Sequence, residues 1–198
     1  MLIAFTFSGA ASRYETRHHL VVDEANAIGT AWLRLDLLPN TEQQPLRELF
    51  RQYVDARLES YSVPTGDTRA AERAVELQQN IWTTAVAAAR KAGDIPPYTV
   101  LLPAINDMID ITTTRAEARR FHPPVTVFIM LGVVALLGSL FAGYGMATSP
   151  RSRVHMVGFA AVLAIALFVI IDFEFPRLGF IRIDSADSLL VDVRKSMN

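Results

Sequence analysis

The chain has 198 residues and a formal net charge of -1, with 19 Lys+Arg against 20 Asp+Glu. That balance argues against a nucleic-acid-binding domain, which carries a clear basic excess. The absence of cysteine removes disulfide scaffolds, thiolate zinc sites and cysteine nucleophiles together. Hydrophobic residues reach 51% and charged residues only 20%, and mean hydropathy is +0.26; this composition points to a membrane protein.

The first twelve residues, Met1 to Ser12, are apolar, and Arg13, Glu15 and Arg17 follow at once. Twelve residues make about 18 Å of helix, short of a bilayer. No basic residue precedes the apolar stretch, which does not fit a signal peptide. Three readings stay open: a membrane-dipping segment, the end of a core helix, or the remnant of a transmembrane helix.

Residues 13–122 read as a helical region. The first helix runs from the N-terminus to about Leu38 and stops at Pro39-Asn40. Val21, Ala25, Ile28, Trp32 and Leu35 fall at i, i+4, i+7, i+11 and i+14, one apolar stripe. Opposite them lie His19, Asp23, Asn26, Thr30 and Arg34. This polar stripe faces water or lines a polar cavity or pore between subunits. A second helix starts near Thr41 or Pro45, carries Leu46, Leu49, Phe50, Tyr53 and Leu58 at helical spacing, and breaks at Val63-Pro64-Thr65-Gly66. A third starts with Asp67 or Thr68 as cap, runs to about Ala92 with Trp82 packing it into the bundle, and ends at Gly93-Asp94. A fourth spans about Tyr98 to Phe121 and leads directly into the next apolar run. On it Asn106 and Asp110 are one turn apart, either in contact between helices or on a solvated face.

From Pro123 to Pro150 no residue is charged, and Val125–Ala147 gives 23 residues. That length makes about 34 Å of helix, enough to cross a hydrocarbon core of about 30 Å. A second run covers 154–171. The six-residue link between them, Thr148 to Arg153, predicts an antiparallel transmembrane hairpin. Seven cations flank its outer ends (Arg115, Arg119, Arg120, Arg177, Arg182, Arg194 and Lys195), against Arg151 and Arg153 in the link. By the positive-inside rule the bulk of the chain is cytoplasmic, and residues 174–198 form a cytoplasmic tail. Ser139, Gly143 and Ala147 follow small-xxx-small spacing and predict a helix-packing face. The fold expected is therefore all-α: a cytoplasmic helical bundle followed by a C-terminal transmembrane hairpin. Phe180 to Ile183 is the single strand-like stretch, too short for a sheet.

No catalytic or metal motif emerges. The four histidines, His18, His19, His122 and His155, sit in no ligand or triad pattern. There is no phosphate loop and no G-x-S-x-G. The expectation is a non-enzyme without cofactor or metal. Arg115, Arg119 and Arg120, just before the first span, suit anionic lipid headgroups or simply set topology.

Three segments carry a family resemblance: Glu24 to Pro39, Leu102 to Asp110 followed by Arg115, and Asp172 to Gly179. In this order they resemble the bestrophin-like domain family of bacteria, over nearly the whole chain. The residues that carry it include Glu24, Asn106, Asp110, Asp172, Pro176 and Gly179. The resemblance implies two further spans ahead of the helical region, the second ending in a segment similar to Leu2–Ser12. On that reading residues 1–12 are the remnant of a transmembrane helix and the start lies inside a longer gene. True bestrophins are pentameric anion channels with a similar four-span plan. The resemblance therefore implies a bacterial inner-membrane protein that forms a homo-oligomer, pentameric if channel-like, and passes an anion such as chloride. Asp184 and Asp187 only loosely follow the acidic residues of the bestrophin calcium clasp, and calcium binding is not carried over. The alternative is a non-conducting scaffold or regulatory protein whose helical region binds a partner.

Overall fold

A computed structural model of the chain describes residues 1–62, 68–93, 95–145, 153–175 and 184–198. Among these residues the chain is all-α, with no strand: α1 (Leu2–Arg34), α2 (Asn40–Ser62), α3 (Arg69–Ala92), α4 (Leu102–Arg120), α5 (Val125–Gly145), α6 (Arg153–Glu174) and α7 (Asp184–Ser196). The link 148–152, the break 63–66, Asp67, Asp94 and the strand-like stretch 180–183 lie outside the described residues, as do the predicted site residues Ala147, Pro176 and Gly179.

The chain divides into two compact units, each built from two pieces. The first joins Met1–Arg17 to Ala118–Arg182, and the second joins His18–Glu117 to Ile183–Asn198. The N-terminal apolar segment is continuous with α1, a helix of 33 residues.

The second unit is a helical bundle. The apolar stripe of α1 is buried as its spacing requires, Val21, Ala25, Ile28, Trp32 and Leu35 all lying in the interior. They meet Leu46, Phe50, Tyr53 and Val54 of α2. Helix α3 contributes an alanine-rich face, Ala74, Ala85 and Ala88 around Leu77 and Ile81. Small side chains there let α2 and α3 approach closely. Trp82 is on the outside of α3, one position beyond the buried Ile81; its neighbour holds the core register and the indole is left at the surface. Residues 174–198, expected as a tail, contain α7, which packs Leu190 and Met197 into this same core. Arg194 of α7 pairs bidentately with Asp55 of α2, at 2.7 and 3.1 Å.

Helix ends follow local chemistry. After α1 a 3-10 turn, Leu35–Leu37, leads to Pro39, which cannot continue the ladder. Thr68 precedes α3, but its hydroxyl bonds the Glu72 carboxylate at 2.7 Å and not the backbone. Gly93 closes α3 with φ +70° and donates its N–H to the Ala89 carbonyl at 3.2 Å, the left-handed geometry that favours glycine. A π-helical turn, Pro97–Leu101, precedes α4. Helix α4 does not run directly into α5. Phe121 to Pro124 are non-helical, because two successive prolines disfavour helical backbone in the residues before them.

In the first unit α1, α5 and α6 meet at Ala10, Leu131 and Ile170, with Leu2, Ile3, Leu167 and Phe173 packed around them. Phe173 also touches the rings of Phe7 and Tyr14, at 5.7 and 5.3 Å. Most other large side chains of α5 and α6 are exposed: Leu136, Leu140 and Phe141 on α5, Val154, Val162 and Ile165 on α6. Both helices are long and apolar enough to cross a membrane. Helix α6 continues three residues beyond its predicted end, to Glu174.

Candidate functional site

Each unit contains one buried carboxylate gripped by two arginines. In the second unit it is Glu24, fully buried on α1. Glu24 lies three residues after Val21 and four before Ile28, so helical geometry places it beside the apolar stripe. A charge there requires partners. Arg57 of α2 donates Nε–H to Oε1 at 2.7 Å. Arg115 of α4 donates from Nη1 to Oε2. The Tyr61 hydroxyl donates to Oε2 at 2.9 Å and accepts from Arg57 Nη2 and from Arg115 Nη1 at 2.6 Å. Both guanidiniums lie over the Tyr61 ring, 5.0 and 4.4 Å from its centroid. Burial alone would raise the Glu24 pKa, but the charges and hydrogen bonds of Arg57 and Arg115 outweigh it and hold the carboxyl below its ordinary range. Next to this cluster, Gln78 of α3 donates to the Tyr53 hydroxyl at 3.2 Å and to the Thr112 hydroxyl at 3.1 Å. Burial pushes the Tyr53 phenol up to about 12, so it stays neutral. Three helices are thus tied to α1 or to one another through polar contacts inside the core.

In the first unit the carboxylate is Glu174, the last residue of α6. Arg13 grips it through Nε and Nη2, at 3.0 and 2.9 Å to Oε2. Arg17 reaches Oε1 at 3.2 Å. The His122 ring places Nδ1 2.9 Å from the same oxygen and stacks on Phe175. Arg17 also donates to three backbone carbonyls, Ala118, Phe121 and Glu174, each at 3.1 Å. These carbonyls lie at the C-terminal ends of α4 and α6, where acceptors lack intrahelical partners and the dipole is negative. One side chain of α1 therefore caps two helices. Gly9 makes room for this grip, since a Cβ there would stand 3.3 Å from the Arg13 guanidinium.

The predicted polar stripe is on the outside of α1: His19, Asp23, Asn26 and Thr30 are exposed, and Arg34 is half-buried. Arg34 donates to the Val100 carbonyl at 2.9 Å. Asn106 and Asp110 lie on a solvated face and bond each other at 2.8 Å. Asp172 is buried on α6. Ser139 and Gly143 are exposed on α5, and the Ser139 hydroxyl bonds its own helix at the Ala135 carbonyl. Of the predicted residues Glu24 falls in a buried cluster with two arginines. Arg13, Arg17, Arg57 and Tyr61 were not singled out by the sequence. A signal existed: a carboxylate on an apolar face, and Arg13–Arg17 and Arg57–Tyr61 pairs at i, i+4. Among the described residues, no group of three or more His, Asp and Glu side chains could hold a metal ion.

An all-helical chain with two exposed apolar helices, each long and apolar enough to cross a membrane, has the make-up of a membrane protein. A family model for the Bestrophin-like domain matches residues 1–187, and the chain belongs to that family. It is a bestrophin-related membrane protein. No curated protein and no solved structure matches it.

Proposed function

We propose that the chain is a non-enzymatic subunit of a homo-oligomeric anion channel in the bacterial inner membrane. Helices α5 and α6 cross the bilayer, the bulk of the chain is cytoplasmic, and a small anion such as chloride is the permeant ion. The observation that supports this best is α1. Its apolar face is buried inside one subunit, while His19, Asp23, Asn26 and Thr30 stay exposed along its other side. In an assembly around α1 the ring of His19, the amide of Asn26 and the hydroxyl of Thr30 offer donors to a passing ion, the chemistry a selective wet passage needs. The exposed Ser139 and Gly143 of α5 then suit contact with a helix of a neighbouring subunit.

The test is subunit count and flux together. Native mass spectrometry of the detergent-solubilised chain, and of a form extended to any upstream in-frame start, gives the first. Chloride efflux from liposomes gives the second. A pentamer with flux reduced by Asn26→Ala or Thr30→Ala supports the reading. A monomer in both forms, or flux indifferent to both substitutions, removes it. The scaffold alternative is favoured by one stoichiometric partner captured without any flux.

A further inference from the structure

Among its described residues the second unit buries more positive than negative charge. The side chains of Arg57 and Arg115 are 7% and 6% exposed, and that of Glu24 is fully buried. Among the described residues the ion pairs of both arginines go to Glu24 alone. Two guanidinium charges therefore face one carboxylate. The neutral neighbours do not change this sum: Tyr61 supplies a hydroxyl and a ring, Tyr53 stays protonated, and Gln78 and Thr112 are amide and hydroxyl. Contact with the Tyr61 ring attracts both cations but adds no countercharge.

The donor count points the same way. A guanidinium has five N–H groups, and four of the pair's ten donors reach an acceptor among the described residues. Arg57 Nη1 and Arg115 Nε and Nη2 are outside those four bonds. An uncompensated charge and unmatched donors inside a packed bundle are both costly. A single anion relieves both.

We propose that the Arg57–Arg115 pair holds one small monovalent anion of the halide class, on the N–H groups that Glu24 and Tyr61 leave. A monovalent ion matches the surplus of one charge, whereas a dianion would reverse it. A bound ion of this kind locks α1, α2 and α4 together. It is separate from conduction, because an ion fixed inside one subunit needs no pore, and it stands whether or not the assembly passes ions.

The experiment is thermal unfolding of the full chain in detergent at constant ionic strength, with sodium chloride or bromide exchanged for sodium gluconate, a bulky organic anion. A hundredfold rise in chloride above the midpoint raises the wild-type Tm by about 5 °C or more. Glu24→Gln has a surplus of two charges and responds more strongly. Arg115→Lys keeps the charge but loses the planar donors, and moves the chloride midpoint up at least about tenfold. Equal Tm in chloride and gluconate for the wild type overturns the proposal. So does a chloride response that neither variant alters, which places the ion elsewhere. Should Glu24→Gln not fold, the comparison of wild type with Arg115→Lys decides alone.

Discussion

Replacing Arg17 by methionine isolates the cost of losing one side chain that ends two helices. The substitution keeps an unbranched apolar stem and deletes the guanidinium. Three carbonyls, those of Ala118, Phe121 and Glu174, lose a charged donor at 3.1 Å, and Glu174 Oε1 loses another at 3.2 Å. A hydrogen bond from a charged group contributes about 1.5–3 kcal/mol, and such bonds from one group do not add fully. Removing one partner of a buried ion pair costs about 3–5 kcal/mol. Arg17 is only 6% exposed, so little of that loss is recovered from water, and about 4 kcal/mol is expected. For a chain of this length that lowers Tm by about 8–16 °C. Arg17→Lys restores the charge but brings its donors from one nitrogen, so it recovers less than half. Arg13→Met is the internal comparison. Arg13 is 25% exposed and holds Glu174 without touching the carbonyls, so about 1 kcal/mol is expected. The assay is circular dichroism melting in detergent at neutral pH. An Arg17→Met variant that melts within about 2 °C of wild type refutes the double-capping argument, and so does an equal loss from Arg13→Met and Arg17→Met.

Three further outcomes follow from the same contacts. Glu24 titrates below its ordinary value of 4.5 when folded, so its contribution is complete above that pH and fades as pH falls through the lower folded value; the Tm gap between wild type and Glu24→Gln therefore stays constant from about pH 7 to 5 and narrows below about 4.5. Gly93→Ala meets no atom within 4 Å but must hold φ +70°, and costs about 1 kcal/mol, read as a Tm fall of about 2–4 °C. Leu190→Ala opens the core beneath α7 and costs about 2–5 kcal/mol, whereas Arg194→Gln breaks the exposed pair with Asp55 and an exposed bond to Asn198 and costs under about 1 kcal/mol; urea titration of the two variants separates burial from surface charge.

The parts of this architecture that repeat at short range were readable from the residues. A period of about 3.6 placed Val21, Ala25, Ile28, Trp32 and Leu35 on one face, and all five are buried. Charge-free length located α5, and Gly93 marked the end of α3. What depends on distant partners was not readable. Glu24 finds Arg57 and Arg115, which are 33 and 91 positions away, and no local pattern encodes that meeting. Helix α7 escaped notice for a different reason. Leu190, Val193 and Met197 do carry helical spacing, but within a short polar stretch after a strong apolar run. Trp82 shows the limit of size as a guide, because register, set by Ile81, decides which face is covered. The Pro123-Pro124 pair was visible, yet the fourth helix was expected to lead directly from about Phe121 into the next apolar run; Phe121 to Pro124 are non-helical, as the local rule against helix before proline requires.

The interleaving of the two units bears on how the chain is made. Proteins generally complete their domains in the order of synthesis. Here the bundle begins at His18 but takes Leu190 and Met197 into its core, so a ribosome must finish both apolar helices before the bundle can close. The other unit waits in the same way, its first piece, Met1–Arg17, held until Ala118 and beyond arrive. Neither half has a moment at which it is whole and its neighbour unbegun. A nascent chain of this design needs protection through most of its translation, and a stop just before Leu190 injures the bundle near the beginning of the sequence and not the helices just made.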